Sequence, residues 1–271
     1  MREPAATPII HREDRKAARG SISSLPLTDA RAARLALDHL LETDAMVAVA
    51  LPAGFGDLIE RYVGLLLDAN ARLNLTRVVE PEAIARLHLL DSLAALPVLD
   101  ELAPAGALDL GSGGGVPGMV LAIARPDVHW TLLDSVRKKA DAISSFVRSL
   151  GARNVTVIAE RAEIMGREPA HRESYDLVAA RACAALPVVA EYALPLLRVN
   201  GSLLAWKGPL TADELRAGTA ATGLLGGGAP EVRTTGVSAL GEHRFVLVAK
   251  ERTTPDRFPR RPGVPARKPL G

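Results

Sequence analysis

A glycine-rich stretch, ALDLGSGGGVPG at residues 107–118, is the part of the sequence best suited to hold a ligand. An apolar run leads to Asp109, and glycines then occupy positions 111, 113, 114, 115 and 118. Without side chains, such a loop lets its backbone come close to a bound molecule. Gly113-x-Gly115-x-x-Gly118 also satisfies the dinucleotide-binding pattern found between a strand and a helix. A nicotinamide dinucleotide and a methyl-donor nucleoside are therefore both candidate ligands.

The acid that precedes the glycines favours one of these two ligands. A carboxylate at Asp109 repels a pyrophosphate at the following helix N-terminus, a place that attracts anions. The same carboxylate attracts the ammonium and sulfonium groups of S-adenosylmethionine. Pro117 also removes one N–H that could face a phosphate. The methyl donor is favoured, although Asp109 could instead cap amides of its own loop, and the glycines could serve close packing of helix on strand.

A second acid, Asp134, follows the next predicted strand, 23 residues after Gly111. A carboxylate at that place can accept hydrogen bonds from both ribose hydroxyls. Both candidate ligands carry a ribose, so Asp134 predicts a nucleoside without choosing between them.

The elements that position these residues are strands alternating with helices. The predicted strands are ALDL (107–110), HWTLLD (129–134), VTVIAE (155–160), YDLVAA (175–180), GSLLAW (201–206), EVRTTGV (231–237) and HRFVLVAK (243–250). Helical patterns between them predict right-handed crossovers and a parallel sheet covered on both faces. The expected fold class is α/β, an open, mostly parallel sheet of about seven strands that binds ligands at the carboxyl ends of its strands. The last strand is expected to be antiparallel, at an edge or as a terminal strand.

Three amphipathic patterns precede the sheet, at residues 29–42, 56–75 and 81–99. The first is expected to be capped by Thr28, and the third begins with a proline and is expected to close before Pro97. We predict a disordered extension at 1–27, a helical cap at 28–100, the α/β domain at 101–250 and a basic, proline-rich tail at 251–271.

The composition limits the class of protein. Among 271 residues, 48% are hydrophobic and 24% are charged, as in soluble globular proteins. The single cysteine, Cys183, allows no internal disulfide. No run of about 18 apolar residues occurs, and the N-terminus lacks the apolar region of a secretory signal. We therefore expect a cytoplasmic protein.

The tail carries most of the excess positive charge. From Glu251 onward, six basic residues stand against two acids: Arg252, Arg257, Arg260, Arg261, Arg267 and Lys268. Such a cluster suits the phosphates of a nucleic acid, although it could equally be a solvated, disordered chain. Its five prolines favour an extended strap over a helix.

Several separate motifs together resemble one known family. They are LDLGSGGGVPG, TLLDSVRKKADAISSF, ERAE, ARACAALP, LLAWKG and TPDRFPRRPGVPARKPL, preceded by ANARLNLTRVVEPEAIARLHLLDS. In this order they resemble the small-subunit rRNA methyltransferase G family, also called GidB, over about residues 55–270. The resemblance implies a Rossmann-like class I S-adenosylmethionine-dependent methyltransferase fold. It also implies methyl transfer to N7 of guanine 527, in the 530 loop of 16S rRNA.

The resemblance further implies where the cofactor lies. Gly111 and Val116 are expected along its methionine and ribose, Ala162 and Glu163 around its adenine, and Arg181 at the cofactor and the path of the substrate. With the loop residues, the expected cofactor-binding set is Asp109, Gly111, Gly113, Gly115, Val116, Asp134, Ala162, Glu163 and Arg181.

The remaining expectations concern catalysis and partners. Arg181 is the expected catalytic residue, and Lys207, Arg260 and Arg261 are expected to bind RNA. The expected partner is 16S rRNA, in the small ribosomal subunit or an assembly intermediate. We expect a monomer without a metal or a membrane contact.

The predicted chemistry needs no strong base, because guanine N7 offers a lone pair without first losing a proton. After the fourth strand, residues 179–187 read AARACAALP and lack the Asn/Asp-Pro-Pro-aromatic motif of methyltransferases that act on exocyclic amines. Arg181 could donate to the guanine or grip a phosphate, or it could pair with an acid such as Asp176 or Glu163. Lys207 could hold a phosphate or be solvated.

Two other arrangements are open to a chemical interpretation. Cys183 could be the nucleophile of a cytosine-C5 methyltransferase, but no proline precedes it and no acid or histidine lies nearby in sequence, so a small buried residue is favoured. His88 and Asp91 could bind a metal, but no further ligand is visible, so a hydrogen-bonded structural pair is favoured.

Three functions remain open from the sequence. The first is an rRNA guanine-N7 methyltransferase, and the second is a methyltransferase of another acceptor. The third is a nonenzymatic module that binds RNA or senses the cofactor. A nicotinamide oxidoreductase is the least favoured.

Overall fold

The computed structural model describes residues 25–43, 50–182 and 184–271. The predictions for the first 24 residues and for Cys183 therefore lie outside the described residues.

The N-terminal cap consists of helices α1 (Leu25–Thr43), α2 (Phe55–Leu73), α3 (Pro81–Ile84), α4 (Asp91–Leu93) and α5 (Leu96–Leu102). A π-helical segment, Ala85–Leu90, joins α3 to α4. Helix α1 begins at Leu25, so the prediction that Thr28 caps its start is wrong. The helical run that forms from the third pattern ends with α4 at Leu93, before Pro97 as predicted. Pro97 itself lies in the first turn of the next helix, α5.

The α/β domain contains strands β1 (Gly106–Leu110), β2 (His129–Leu133), β3 (Val155–Ile158), β4 (Tyr175–Arg181), β5 (Leu197–Lys207), β6 (Glu231–Thr234) and β7 (Arg244–Ala249). They form a seven-stranded sheet in the order β3-β2-β1-β4-β5-β7-β6. Strands β1 to β5 are parallel, and β7 is antiparallel to β5 and β6. The expected sheet is thus confirmed: β7 is antiparallel and is the last strand in sequence, while β6 lies at the edge.

The helices of this domain are α6 (Gly118–Ala124), α7 (Arg137–Leu150), α8 (Ala162–Met165), α9 (Leu186–Ala193), α10 (Ala212–Leu224) and α11 (Val264–Arg267). Hydrophobic cores lie on both faces of the sheet. On β4, Leu177 and Ala179 join the core shared with the cap, whereas Val178 and Ala180 join the opposite one. Because side chains alternate along a strand, the side chain of Arg181 lies on the face of the sheet that the cap covers. The same alternation along β1 places the side chain of Asp109 on that face.

The C-terminal tail is packed against the domain. Thr254, Phe258, Pro259 and Pro265 are buried, and α11 is a short helix inside the tail. The expectation of a strap without helix is therefore only partly correct. None of the described helices is long and apolar enough to cross a membrane.

Candidate active site

Two adjoining cavities open at the carboxyl ends of the parallel strands. The first, about 240 Å³, is lined by Gly111, Ser135 and residues 160–163, and also by Ala182 and Tyr192; we call it the α8 cavity. The second, about 230 Å³, is lined by Thr76 and His88 of the cap, by residues 111–114 and by Arg181; we call it the cap cavity. Gly111 and Ala182 line both, so one ligand can occupy the two together.

The glycines of the loop divide into two groups. A Cβ on Gly113 would meet only the oxygen of Gly111, at 3.9 Å, and both residues have a positive φ. By contrast, a Cβ would come within 2.7 Å of Leu66 at Gly114 and 2.8 Å of Met119 at Gly115. Gly113 therefore faces open space and Gly111 lines both cavities, whereas the other glycines of the loop serve close packing.

This division bears on Gly115, whose predicted contact with the cofactor stays a prediction. Gly115 lines neither cavity and lies against Met119 and Tyr62. Gly118 is still more constrained, because a Cβ there would lie 2.2 Å from Leu132 and 2.7 Å from Asp109. Val116, Ala162 and Glu163 do line the cavities where they were expected.

Asp109 is buried beneath the loop. Its Oδ2 accepts a hydrogen bond from the Gly118 amide at 3.1 Å, while Oδ1 has no hydrogen-bond partner among the described residues. Burial raises the pKa of this carboxyl to about 6, against the opposing effects of Ser112, the Gly118 amide and Arg181. The carboxyl thus caps an amide of its own loop, as one of the two sequence interpretations held, and keeps one oxygen unsatisfied.

Asp134 holds the loop in place. Its Oδ2 accepts from the Gly113 amide and its Oδ1 from the Val136 amide, both at 2.8 Å. The side chain is buried and lines neither cavity, whereas the neighbouring Ser135 does. The ribose contact of Asp134 therefore stays a prediction, and its observed contacts are structural.

Arg181 is held by the cap across the top of the sheet. Its Nη1 donates to the Leu87 carbonyl at 2.6 Å and to Asp91 Oδ2 at 3.0 Å, and its Nη2 lies 3.4 Å from Nδ1 of His88. The acid paired with Arg181 is thus Asp91, and neither Asp176 nor Glu163 as the sequence suggested. Asp176 pairs with Arg198, and Glu163 pairs with Arg161.

The surroundings of Asp91 fix it firmly. Its Oδ1 contacts Nδ1 of His243 at 2.9 Å, and its carbonyl accepts from the indole of Trp206 at 2.9 Å. His88 instead contacts Thr76 through Nε2 at 2.8 Å. Asp91 and His88 therefore both contact Arg181, and they do not form the hydrogen bond to each other that was predicted. Among the described residues, no cluster of three or more His, Cys, Asp or Glu side chains is placed to bind a metal.

His88 is neutral at physiological pH. Burial and the nearby charge of Arg181 lower its pKa to about 4, although Asp91 acts in the opposite direction. A neutral imidazole beside Arg181 adds no second positive charge to the cap cavity.

Glu163 connects the α8 cavity to the tail. Its Oε1 accepts from Nη2 of Arg161 at 2.8 Å and from the Gly263 amide at 2.7 Å. Burial alone would raise the pKa of this carboxyl, but those hydrogen bonds outweigh it, so the pKa lies below its usual value. Glu163 is therefore an anion in the cavity wall.

Two of the three expected RNA-binding residues have internal partners. Lys207 donates to Glu214 at 2.7 Å and to the Ala184 carbonyl at 2.8 Å. Arg260 pairs with Glu191, a carboxylate that is fully buried. These contacts disfavour the predicted RNA role of both residues. Arg261 is exposed to solvent.

Sequence reasoning missed several lining residues. Ser135 and Glu160 are the second residues after β2 and β3, so their place at the carboxyl ends of parallel strands could have identified them. Thr76, His88 and Tyr192 come from helices and from the cap, and no local pattern places them at the sheet.

Comparisons with known proteins identify the family. A sequence model of the family GidB, described as rRNA small subunit methyltransferase G, matches residues 57–238. The chain belongs to this family. It is 47% identical over 211 residues to ribosomal RNA small subunit methyltransferase G of Deinococcus radiodurans, covering 78% of this chain and 83% of that protein. The same-named protein of Moorella thermoacetica is 42% identical over 214 residues, covering 79% and 89%.

Solved structures agree on the fold of this GidB-family chain. The O-methyltransferase TomG from Streptomyces achromogenes, solved in complex with SAM, superposes with a TM-score of 0.51. The two chains are 16% identical, and the match covers 79% of this chain and 95% of TomG. The predicted family, enzyme class and class I methyltransferase fold are therefore confirmed.

Proposed function

We propose that this protein transfers a methyl group from S-adenosylmethionine to N7 of a guanine in the 530 loop of 16S rRNA, within the bacterial cytoplasm. The observation that carries the proposal is the pair of adjoining cavities. The α8 cavity is walled by small and acidic residues, and the cap cavity contains a fixed arginine. The first suits a nucleoside, and the second suits the reacting methionine end together with an incoming base.

The residues around these cavities fit S-adenosylmethionine. Gly111 and Gly113 provide backbone without a Cβ, and the carboxylates of Glu160 and Glu163 can accept hydrogen bonds from hydroxyl and amino groups. The unsatisfied Oδ1 of Asp109 places negative charge below the loop. That charge stabilises an ammonium and would repel a pyrophosphate, which argues against a nicotinamide dinucleotide.

S-adenosylmethionine supplies a methyl group on a positively charged sulfur. What the protein must add is alignment, which can contribute about 7–11 kcal/mol to lowering a barrier. No base is required for N7, and both ring nitrogens of His88 already lie against protein groups, Thr76 and Arg181. We infer that Arg181, held by Leu87 and Asp91, donates to guanine O6 beside the reacting nitrogen.

Methyl transfer to ribosomal subunits tests the proposal. Small subunits from a strain lacking the modification are incubated with the protein and methyl-labelled S-adenosylmethionine, and the RNA is digested to nucleosides. We expect label in 7-methylguanosine. R181K should lower the initial rate at least tenfold because a lysine cannot reproduce the fork of hydrogen bonds. R216K, at an exposed arginine of α10, is the matched control and should leave the rate unchanged.

The other outcomes separate the remaining functions. Label in a different nucleoside would keep the enzyme class and overturn the acceptor. Binding of S-adenosylmethionine without label in any nucleoside would favour a cofactor-sensing role.

A further inference from the structure

The basic tail is packed against the folded protein. From the sequence alone, it could have been either an RNA-binding arm or a solvated chain. We call residues 254–267 the C-terminal strap. Five carbonyls of the strap accept hydrogen bonds from Arg172 and Arg167, which follow α8; the shortest three are those of Thr254 at 2.7 Å, Phe258 at 2.9 Å and Pro259 at 2.9 Å. Phe258 is buried in the core beneath α8 and α9. The strap is thus part of the folded domain.

Its strongest attachment is an ion pair with α9. The Nε of Arg260 donates to Glu191 Oε1 at 2.9 Å, its Nη2 pairs with Oε2, and its backbone amide donates to Oε1 at 2.8 Å. Glu191 is 0% exposed. A buried carboxylate is costly unless it is paired and hydrogen-bonded, so Glu191 is stable in this position only with the strap in place.

A second attachment reaches α8. The amide of Gly263 donates to Oε1 of Glu163 at 2.7 Å, so the strap holds the carboxylate that lines the α8 cavity. Gly166, just after α8, leaves little room beneath the strap, because a Cβ there would lie 3.2 Å from Pro259.

Both attachments are next to the cavity wall. Glu163 lines the α8 cavity itself, and Glu191 immediately precedes Tyr192, which also lines it. The strap therefore joins two helices that form one side of the cavity, while no strap residue lines the cavity directly.

We propose that the C-terminal strap positions the nucleoside side of the cofactor site: Arg260 and Gly263 hold Glu191 and Glu163, and through them α9 and α8. The affinity for the cofactor, more than the affinity for RNA, then depends on Arg260. This inference rests on the proposed function, because it takes an S-adenosyl nucleoside as the ligand of the α8 cavity.

Calorimetric titration of the full chain with S-adenosylhomocysteine tests this inference. The variant E191Q/R260Q removes the ion pair without leaving a buried charge unpaired, and R216Q removes an exposed arginine of α10, outside the strap, as the matched control. We expect the Kd to rise at least fivefold for E191Q/R260Q and to stay within twofold of the wild-type value for R216Q. Thermal unfolding shows that each variant is folded at the titration temperature.

A third variant keeps the test decisive if E191Q/R260Q is unstable. R260K retains a positive charge beside Glu191 but cannot donate in the same bidentate manner. We expect its Kd to rise two- to threefold. In steady state, both variants should raise KM for S-adenosylmethionine while kcat at saturating cofactor stays within twofold, a split that general destabilisation would not give.

A measurement of RNA affinity tests the opposing interpretation, in which Arg260 binds RNA. The probe is a 16S rRNA fragment containing the 530 loop, and E191Q/R260Q should bind it as the wild-type protein and R216Q do. An unchanged ligand Kd in folded E191Q/R260Q and R260K would overturn the inference, and a selective loss of RNA affinity would return Arg260 to an RNA-binding role. If the wild-type protein binds no S-adenosylhomocysteine, the proposed function itself fails instead.

Discussion

Asp109 is a carboxylic acid whose ionisation is opposed by its surroundings. Its folded-state pKa is about 6, above the ordinary value of 3.8, because the carboxyl is buried. A raised pKa means that the protonated form is favoured by folding, so this stabilisation is present below pH 3.8 and is lost as pH rises through 6. Above pH 6 the buried anion destabilises the ligand-free protein by up to about 3 kcal/mol.

Replacing Asp109 with asparagine should therefore separate stability from ligand binding. We expect D109N to increase the free energy of unfolding at pH 8 by up to about 3 kcal/mol, with the gain vanishing near pH 4. The same variant should bind S-adenosylhomocysteine more weakly, since the negative charge that faces its ammonium is gone. Urea unfolding at several pH values measures the first effect and calorimetry the second. Equal stability of both proteins at pH 8 would contradict the buried-anion argument.

His88 gives a stability effect of opposite sign. Its pKa falls from 6.5 to about 4 on folding, chiefly through burial. Between these values the unfolded chain takes up a proton that the folded protein does not, so stability falls as pH drops from 6.5 to 4. We expect the stability difference between wild type and H88Q to shrink by up to about 3 kcal/mol over this interval. A difference that is constant with pH would show that folding does not shift the pKa of His88.

At the scale of elements, the close packing of α6 on the sheet explains why the loop has a glycine at position 118, which does not line either cavity. A methyl group on Gly118 would enter the space of Leu132 and Asp109. Overpacking of this kind costs about 1–3 kcal/mol, so G118A should lower the free energy of unfolding by that amount. G223A is the matched control: Gly223 lies in α10 with nothing within 4 Å of an added Cβ. It should stabilise by up to about 1 kcal/mol, and denaturant unfolding of both variants checks the contrast.

The elements were predictable where a local pattern determines them. Buried parallel strands give short apolar runs, so all seven strands could be located, and Asp109 and Gly111 followed from the carboxyl end of the first of them, whereas Glu163 was expected only from the family resemblance. Strand order is not written in local sequence, so the edge position of β6 could not be predicted. The partner of Arg181 is Asp91, 90 residues earlier in the chain, and only the folded cap brings them together. The same holds for Arg260 and Glu191, 69 residues apart.

Over the whole molecule, positive charge divides into two populations. Some cations, such as Lys207, Arg172 and Arg260, hold elements together through internal carboxylates and carbonyls. Others are exposed, including Arg77 and Arg86 in the cap. The net charge of +2 therefore does not describe the charge that RNA can meet, because it counts cations that are used inside the protein together with those that are exposed.

The exposed arginines of the cap should dominate RNA binding, since Arg77 follows Thr76 and Arg86 precedes His88 by two residues, and both of those neighbours line the cap cavity. Each phosphate contact contributes about 0.7–0.9 to the slope of log affinity against log salt. We expect R77Q/R86Q to weaken binding of the 530-loop fragment and to reduce the slope by one to two, with cofactor affinity unchanged. R148Q/R153Q removes two exposed arginines near the amino end of β3, away from the cavities, and should leave the slope as it is. Equal loss in both double variants would mean that RNA is attracted by overall charge, without docking at the cap.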